Sequence, residues 1–485
     1  MTSNAADAEF FAKLSPLMHY HLIGICGTAM ASLAGMLQAR GHKVTGSDQN
    51  VYPPMSTQLE ALGIEIRNGY RAENADIGAD VTVVGNAISR GNPELEEVLN
   101  RKLMYRSQAD IVKELFIRGR RSLVVAGTHG KTTTTSIATW VCEVGGLDPS
   151  FLVGGIVQNF DASFRVTKSD HFVIEGDEYD TAYFDKKPKF MHYLPEIAIV
   201  NNIEFDHADI YRDLQEIKFQ FSRLMNLVPG NGRLICGIDS PVVREVLDEM
   251  QGKLFTTIET FGLSDDAKWQ ARYIDFTGDK TRFTVFRDGT SFGEFETHLI
   301  GEFNVRNCLA VIIAADAWGI AKEKIQEAFD KFKSVKRRME VRGTERGVTV
   351  IDDFAHHPTA VEETLKALRM KYEGRRLIAV FEPRSWSSRL AVFQAPYSKA
   401  FSYADYVIIA GVYNTSKASE LGKVLDVEEL VKDIEMQSKP AYSFPDADAI
   451  IDHLAPELAD GDVVAIMSNG GFGGIHDKLL DTLRR

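Results

Sequence analysis

Short apolar runs alternate with helix-length amphipathic segments along almost the whole chain. The first run covers residues 19–26 and leads into a helical pattern over 28–40, and later runs cover 81–85 and 122–127. A short apolar run followed by a segment with one apolar stripe is typical of βα units on a mostly parallel sheet. The pattern therefore predicts an α/β fold.

The βα units form three sets, which agrees with the prior of about three domains for a chain of 485 residues. The predicted domains are 18–118, 119–336 and 337–485, and the basic segment 331–338 is the predicted junction before the last one. Within the second domain, short alternating segments over 269–299 predict an antiparallel meander. The third domain has strand-like runs separated by helical segments, at 348–352, 377–381, 406–410 and 463–467.

The composition is that of an ordinary soluble globular protein, with 44% hydrophobic and 25% charged residues. No apolar stretch approaches the roughly 18 residues of a membrane-spanning helix. Residues 1–17 contain Asp7 and Glu9 and lack the basic start and apolar block of a secretory signal. We therefore expect a cytoplasmic protein that does not enter a membrane.

Charge and cysteine usage narrow the function classes further. The net charge of −13 argues against broad nucleic-acid binding, because phosphate backbones are bound by clustered lysine and arginine. Any phosphate must therefore be held locally. The cysteines lack paired metal-ligand spacing, which disfavours a disulfide framework or a structural zinc site and predicts buried free thiols. They are Cys26, Cys142, Cys236 and Cys308.

The strongest motif is a glycine-rich turn between the apolar run 122–126 and a helical segment. Glycines let backbone amides approach a phosphate, a helix N-terminus and a lysine supply positive charge, and a threonine hydroxyl can bind magnesium. The turn is shorter than a standard P-loop, since Val125 stands where that spacing requires glycine. An ordinary strand-turn-helix junction is the alternative, but lysine and threonine together favour phosphate. The turn consists of Gly127, Thr128, His129, Gly130, Lys131, Thr132 and Thr133.

Carboxylates follow two further strand-like runs. The run 171–174 ends in Glu175 and an acidic cluster that reaches Asp180, and the run 197–202 is followed by Asp206 and His207. Hard oxygen ligands at a strand end predict a Mg²⁺ site near the phosphates, with His207 as a candidate second ligand. The alternative for each cluster is a solvated acidic loop and a hydrogen-bonding histidine, and the sequence leaves this open.

A second glycine turn occurs near the N-terminus and is similar to a dinucleotide-binding turn. It is followed by Ser47 and Asp48 at about the distance of a ribose contact. Its spacing is imperfect, because Cys26 and Ala29 stand where glycine is expected. A tight βα connection is the alternative; beside a separate phosphate loop, a diphosphate on a substrate fits better than a redox cofactor. The residues of the turn are Gly24, Gly27, Thr28, Ala29 and Met30.

Taken together, the motifs resemble the ordered signature of the muramyl ligase family, over about 19–485. They are Gly-Thr-His-Gly-Lys-Thr at 127–132, the cluster at 175–180, His207, Gly-Glu-Phe-Asn-Val-Arg-Asn at 301–307, Lys-Arg-Arg at 336–338 and Asp-Asp-Phe-Ala-His-His-Pro at 352–358. Longer runs at 50–56, 85–93, 177–180 and 468–474 resemble the branch that attaches a peptide during peptidoglycan recycling.

The resemblance implies a Rossmann-like N-terminal domain for a UDP-sugar, a central P-loop ATPase domain and a Rossmann-like C-terminal domain. It implies an ATP- and Mg²⁺-dependent amide ligase that acts through an acyl phosphate. The implied partners are small molecules, namely UDP-N-acetylmuramate and the murein tripeptide L-alanyl-γ-D-glutamyl-meso-diaminopimelate. Nucleic acid and membrane are not expected, and monomer and dimer both remain open.

The resemblance also assigns roles to residues around the nucleotide. Lys131 would contact the β- and γ-phosphates, Thr132 and Glu175 would bind one magnesium, and His207 would bind a second. The remaining ATP-site residues would be Asn304 for adenine, Asn307, Arg338 for the γ-phosphate, and Asp353 and His356 for ribose or adenine. Lys131, Glu175, His207 and Arg338 are the implied catalytic residues.

Substrate contacts are expected from the turn at 24–30, Ser47, Asp48 and Asn86. Arg384 is a candidate for the diaminopimelate carboxylate, and a surface arginine is the alternative. Trp386 and Ser387 depart from the pattern of the peptide-attaching branch, which has Asn-Thr there, and this departure concerns the contacts at the peptide end of the site. Some members carry a carbamylated lysine; Lys218 is nearby, but a structural lysine is the alternative.

Three other functions compete with this interpretation. A UDP-N-acetylmuramate:L-alanine ligase has the same motifs but adds one amino acid. A P-loop regulator would bind nucleotide without ligating anything. A nicotinamide oxidoreductase is disfavoured by the spacing of the Gly24 turn and by the separate phosphate loop.

Overall fold

A computed structural model describes residues 16–51, 55–414 and 423–485. The chain forms two compact units. Within the described ranges, the first unit comprises 16–203, 218–269 and 310–333, and the second comprises 204–217, 270–309 and 334–485. Part of the motif at 50–56 and most of the N-terminal segment 1–17 lie outside the described residues. The division into 18–118, 119–336 and 337–485 stays a prediction.

The N-terminal part of the first unit is a parallel sheet with strand order β3-β2-β1-β4-β5. All five residues of its central strand are buried, as expected for a parallel sheet covered on both faces. The strands are β1 (His19–Ile23), β2 (Lys43–Asp48), β3 (Glu65–Asn68), β4 (Val81–Val84) and β5 (Tyr105–Ser107), and the helices are α1 (Thr28–Ala39), α2 (Met55–Ala61), α3 (Pro93–Asn100) and α4 (Gln108–Val112).

Helix α1 contacts the following part of the chain through a close approach at Gly35. A Cβ on Gly35 would lie 2.2 Å from Cζ of Phe164, so any larger residue would force the Phe164 ring to move. Next to it, the hydroxyls of Ser32 and Ser163 lie 3.0 Å apart. These contacts fix the N-terminal sheet to the central part of the first unit.

The central part of the first unit has the strand order β14-β13-β12-β6-β9-β7-β8, in which only β8 among these strands is antiparallel to its neighbour. The strands are β6 (Arg121–Ala126), β7 (Ser150–Val157), β8 (Ala162–Arg165), β9 (His171–Glu175), β10 (Asp180–Ala182), β11 (Asp185–Pro188), β12 (Ile197–Val200), β13 (Arg233–Gly237) and β14 (Thr257–Gly262). The helices between β6 and β18 are α5 (Lys131–Val144), α6 (Leu214–Leu227), α7 (Pro241–Glu249), α8 (Glu302–Ala317) and α9 (Lys322–Lys331). The residues of α6 up to 217 and those of α8 up to 309 belong to the second unit. Strands β10 and β11 form a separate antiparallel hairpin.

The second unit contains the predicted meander and the C-terminal sheet. The meander consists of β15 (Trp269–Asp275), β16 (Thr281–Arg287) and β17 (Thr290–Thr297), and β16 pairs antiparallel with β17. The C-terminal sheet has the order β18-β19-β23-β20-β21-β22. Its strands are β18 (Glu340–Glu345), β19 (Val348–Asp353), β20 (Leu377–Phe381), β21 (Tyr406–Ala410), β22 (Ala441–Phe444) and β23 (Val463–Met467).

Helices cover both faces of the C-terminal sheet. Leu365, Tyr397 and Leu430 belong to the core on one face, whereas Ile450 and Leu479 belong to the core on the other. The neighbouring strands β20 and β23 are followed by helices on opposite faces, which makes a crevice at their carboxyl ends. The helices are α10 (Pro358–Lys371), α11 (Gln394–Ala400), α12 (Val427–Glu435), α13 (Ala447–Leu454) and α14 (Ile475–Arg484).

The α/β prediction and the meander are confirmed. Predicted strands at 377–381, 406–410 and 463–467 match β20, β21 and β23 in extent. The prediction of buried thiols is wrong for Cys26, which is only half-buried in the turn after β1. Among the described residues, no helix is both long and apolar enough to cross a bilayer.

Candidate functional site

The phosphate-loop motif lies between β6 and α5, at the carboxyl end of the central sheet. Gly127 and Gly130 have φ angles of 138° and 80°, which favour glycine. A Cβ on Gly127 would lie 3.1 Å from Cβ of Asn201, so the loop runs close to the chain that follows β12. Helix α5 begins without a side-chain cap. A glycine turn ahead of such a helix N-terminus is suited to bind an anion.

Two asparagines after β12 brace this loop. The amide of His129 donates to Oδ1 of Asn202 at 2.8 Å, and the amide of Thr128 donates to the Asn202 carbonyl at 3.1 Å. Asn201 donates to the hydroxyl of Thr134 in α5 at 2.9 Å. Sequence reasoning missed both asparagines, although their position directly after a strand-like run could have indicated them.

Lys131 lies at the centre of the loop in a network of acceptors. Its ammonium donates to the carbonyls of Gly127 and Thr128 at 2.7 and 3.1 Å and to Glu178 at 2.8 Å. Burial lowers the pKa of Lys131, but the carboxylates of Glu178 and Asp177 outweigh it and hold the pKa above its usual value. The ammonium therefore stays charged. Glu178 was expected only as part of an acidic cluster, not as the partner of this lysine.

Thr132 and Glu175, two predicted magnesium ligands, lie next to each other. The Thr132 hydroxyl donates to Glu175 at 2.9 Å, and the amide of Gly154 donates to the other carboxylate oxygen at 2.8 Å. Burial raises the pKa of Glu175, although the charge of Lys131 opposes this. A hydroxyl and a carboxylate at a strand end are the hard oxygen ligands that Mg²⁺ prefers, so these residues fit the ion.

Asp177 has a separate partner in the same cluster. Lys189 donates to its carboxylate at 2.7 Å. Burial raises the pKa of Asp177, but the charges of Lys189 and Lys131 outweigh it, and the pKa lies below its usual value. Asp177 is therefore held ionised beside the phosphate loop.

The N-terminal glycine turn has the shape expected of a ligand-binding βα connection. Gly24 has a φ of 83°, and its amide donates to the Ser47 carbonyl at 2.8 Å. Helix α1 begins after Gly27 without a side-chain cap. Gly27, Thr28 and Ala29 are exposed, whereas Met30 is buried. The exposed start of α1 can therefore receive an anion.

Asp48 holds this turn together. Its carboxylate accepts from the amides of Cys26 and Asn50, both at 2.9 Å. Asn86 lies in the exposed loop after β4, the strand beside β1, and its side-chain amide is 3.5 Å from the Asp180 carbonyl. The loops at the carboxyl ends of neighbouring parallel strands thus bring the predicted substrate residues of this sheet to one edge.

The other predicted residues lie in the second unit. His207 is buried and has a φ of 54°, and its amide donates to the carboxylate of Asp206 at 2.7 Å. Asn304 and Asn307, in the first two turns of α8, are also buried, and Asn307 donates to Asn304 at 3.2 Å. Asn304 in turn donates to the Ile300 carbonyl at 2.9 Å.

Arg338, Asp353 and His356 surround the end of β19. The guanidinium of Arg338 lies 5.2 Å from the ring centre of Phe354. Asp353 accepts from the amide of Met339 at 2.7 Å, and His356 bonds the Phe354 carbonyl at 3.0 Å. Burial raises the pKa of Asp353, against the charge of Arg338. Asp353 thus braces the residue that follows Arg338.

Arg384 lies in the crevice between β20 and β23. Its guanidinium stacks 4.1 Å from the ring centre of Tyr413 and is 3.4 Å from Glu382. A Cβ on Gly470 would lie 2.1 Å from its Nε, so Gly470 makes room for this side chain. These contacts fix the orientation of the Arg384 side chain, as is not expected of an arginine that only extends into solvent.

Lys218, the candidate for carbamylation, points to α7 in the first unit. Its ammonium lies 2.6 Å from Glu249 and 3.1 Å from Glu245. A lysine paired with these carboxylates is explained by a structural role.

Three family models match this chain. A model described as Mur ligase family, catalytic domain, matches 19–120; one described as Mur ligase middle domain matches 125–315; and one described as Mur ligase, glutamate ligase domain, matches 337–470.

Curated proteins and solved structures agree with these models. The chain is 43% identical, over 96% of its length and 99% of the other protein, to the UDP-N-acetylmuramate–L-alanyl-γ-D-glutamyl-meso-2,6-diaminoheptandioate ligase of Escherichia coli. It is 34% identical to the UDP-N-acetylmuramate–L-alanine ligase of Salinibacter ruber, over 99% of this chain and 98% of that protein. The crystal structure of a murein peptide ligase from Psychrobacter arcticus is 35% identical, with a TM-score of 0.71 over 96% of this chain and 99% of that one.

Proposed function

The chain belongs to the Mur ligase family, and we propose that it joins L-alanyl-γ-D-glutamyl-meso-diaminopimelate to UDP-N-acetylmuramate in an ATP-dependent reaction of peptidoglycan recycling. The observation that carries this proposal is the 43% identity, over nearly the full length of both proteins, to a relative named for that peptide. The L-alanine ligase of Salinibacter ruber is 34% identical. The phosphate loop around Lys131 supports the nucleotide part of the proposal.

The chemistry explains why ATP is needed. A carboxylate does not react with an amine near neutral pH, because its leaving group would be oxide. Transfer of the γ-phosphoryl group to the carboxylate of UDP-N-acetylmuramate gives ADP and an acyl phosphate. The N-terminal amine of the peptide then attacks the carbonyl carbon, loses a proton and expels phosphate.

Both steps concentrate negative charge, and positively charged groups must offset it. We assign Lys131 to the β- and γ-phosphates and Arg338 to the γ-phosphate. Thr132 and Glu175, with His207 at a second position, would hold Mg²⁺, which supplies further positive charge beside the phosphates. Asn304, Asn307, Asp353 and His356 are the proposed contacts of adenine and ribose.

The acceptor is proposed to bind at the N-terminal sheet. The exposed start of α1 at Gly27, Thr28 and Ala29 suits its diphosphate. Ser47, Asp48 and Asn86 are proposed to shape the same edge. We assign Arg384 to a carboxylate of the peptide. We also propose that the enzyme is cytoplasmic and has three domains, at 18–118, 119–336 and 337–485.

The test is a product assay with purified protein, UDP-N-acetylmuramate, ATP and Mg²⁺. We expect ADP, phosphate and the UDP-muramyl tripeptide to form in equal amounts with the tripeptide, and at least 100-fold more slowly with L-alanine. Preference for L-alanine would assign the biosynthetic reaction instead. ATP binding without any ligated product would refute the proposal, and Lys131→Ala serves as the inactive control.

A further inference from the structure

The short segment 204–208, which carries His207, packs inside the second unit against the start of helix α10 and the segment that follows β20. Glu204 accepts from the hydroxyl of Thr359 at 2.6 Å. The Phe205 carbonyl lies 3.1 Å from Nε2 of His357, and the Phe205 ring stacks on Phe393 with 6.1 Å between ring centres. Consecutive residues of this segment are thus held by residues more than 150 positions later in the chain.

Asp206 and Ser387 are both buried where the segment meets the loop after β20. They are 3% and 4% exposed. Burial raises the pKa of Asp206, but the charges of nearby histidines, His207 first among them, and a hydrogen bond with Ser387 hold the pKa well below its usual range. The Ser387 hydroxyl also accepts from the amide of Ala208, at 3.4 Å. One hydroxyl therefore bonds residues on both sides of His207.

His207 needs such support because of its backbone. Its φ of 54° lies in the left-handed region, where the Cβ of a residue other than glycine crowds the following carbonyl oxygen. Its own amide donates to Asp206 at 2.7 Å. A carboxylate held in place by Ser387 thus fixes the conformation that sets the direction of the imidazole.

We propose that Ser387 is a positioning residue, which acts through Asp206 and Ala208 to hold His207 in the direction needed for its ligand. The metal-binding part of this inference rests on the proposed function, in which His207 holds Mg²⁺. The docking part concerns only residues of the second unit. Groups that orient a metal ligand typically change metal affinity or activity by roughly 10–100-fold when removed.

The experiment compares Ser387→Ala, Asp206→Asn and the double variant with wild type, with Ser387→Thr to restore the hydroxyl. Ser398→Ala is the matched control, because Ser398 also follows β20 but its hydroxyl donates to the Ala395 carbonyl of its own helix, at 2.9 Å. The rate of amide hydrogen exchange at residues 208–211 measures how firmly the segment is docked, and it can be measured whether or not the protein is active. The Mg²⁺ concentration for half-maximal ligation reports the direction of His207.

We expect Ser387→Ala to speed exchange at 208–211 about tenfold and to raise the half-saturating Mg²⁺ concentration roughly tenfold, with the KM for the peptide unchanged. Asp206→Asn should shift both quantities in the same direction, and the double variant should add little to Ser387→Ala, because that change already removes the bond between the two residues. Wild-type exchange in Ser387→Ala, additive effects of the two changes, or no recovery in Ser387→Thr would each overturn the inference. An inactive wild-type protein would refute the proposed function and leave the exchange result to decide on docking.

Discussion

Replacing Glu178 by alanine removes the carboxylate that faces Lys131 in the phosphate loop. The two side chains are 3% and 13% exposed, and their charged atoms lie 2.8 Å apart. Removing one partner of a buried ion pair costs about 3–5 kcal/mol, because the other charge is left without its counter-ion. Lys131 keeps the carbonyls of Gly127 and Thr128, so we expect the lower value, about 3 kcal/mol.

If about 200 residues around the phosphate loop unfold cooperatively, a loss of about 3 kcal/mol corresponds to a fall in melting temperature of roughly 6–12 °C. A bound nucleotide should reduce it, because phosphate oxygens would replace the lost carboxylate as partners of Lys131 and because ligand binding stabilises only the folded state. Thermal unfolding with and without Mg²⁺ and a non-hydrolysable ATP analogue measures both effects.

The control is Glu114→Ala, which removes an equally close but exposed pair with Arg118 at 2.6 Å. Exposed pairs contribute only about 0–1 kcal/mol, so this variant should melt near wild type and respond normally to nucleotide. If Glu178→Ala melts like wild type, or if nucleotide leaves the difference unchanged, Lys131 is not the phosphate-binding charge of this loop.

Three other changes test separate features. Gly35→Ala should destabilise the protein by about 1–3 kcal/mol in urea unfolding, because its Cβ would overlap Phe164; Phe164→Ala in the same chain should relieve that overlap. Burial, with the charge of Arg40, lowers the pKa of His42 from 6.5 to about 4. As the pH falls, His42 therefore takes up a proton in the unfolded chain before it does so in the folded protein. Its contribution to the free energy of unfolding should be fully present above pH 6.5 and fall by roughly 3 kcal/mol towards pH 4; His42→Gln should flatten this pH dependence. Arg338→Ala should lower kcat by roughly 100-fold with little change in the KM for ATP, and a normal kcat would remove Arg338 from the γ-phosphate.

Strand positions were predictable because a buried parallel strand is a continuous apolar run. The run 377–381 is buried at every residue in β20, and its ends match. The partition of the chain was harder, since the segment after Ile203 packs within the second unit although it directly follows β12 of the first. The hydrophobic pattern of a sequence predicts which residues are buried. It does not predict against which hydrophobic core a short polar segment packs.

Side-chain partners were predictable only where a motif names them. The sequence indicated phosphate binding at Lys131 and a carboxylate at Glu175, but several carboxylates follow β9, and spacing could not tell that Glu178 pairs with Lys131. Ser387 stands out in the sequence only as a departure from a pattern. Its contact with Asp206 joins positions about 180 residues apart, which no local pattern reports.

The charges around the phosphate loop bear on the form in which nucleotide binds. Lys131 and Lys189 face Glu175, Asp177 and Glu178 in this cluster, so the carboxylates outnumber the ammonium groups by one. A free triphosphate would add negative charge to a cluster whose two ammonium groups already face carboxylates, whereas a divalent cation adds the positive charge to offset it. Nucleotide affinity should therefore depend on Mg²⁺ far more steeply than a lysine-based phosphate loop alone would require. The same balance would let a chain of net charge −13 hold phosphate, because a divalent cation bound with the nucleotide would add its positive charge to that of Lys131.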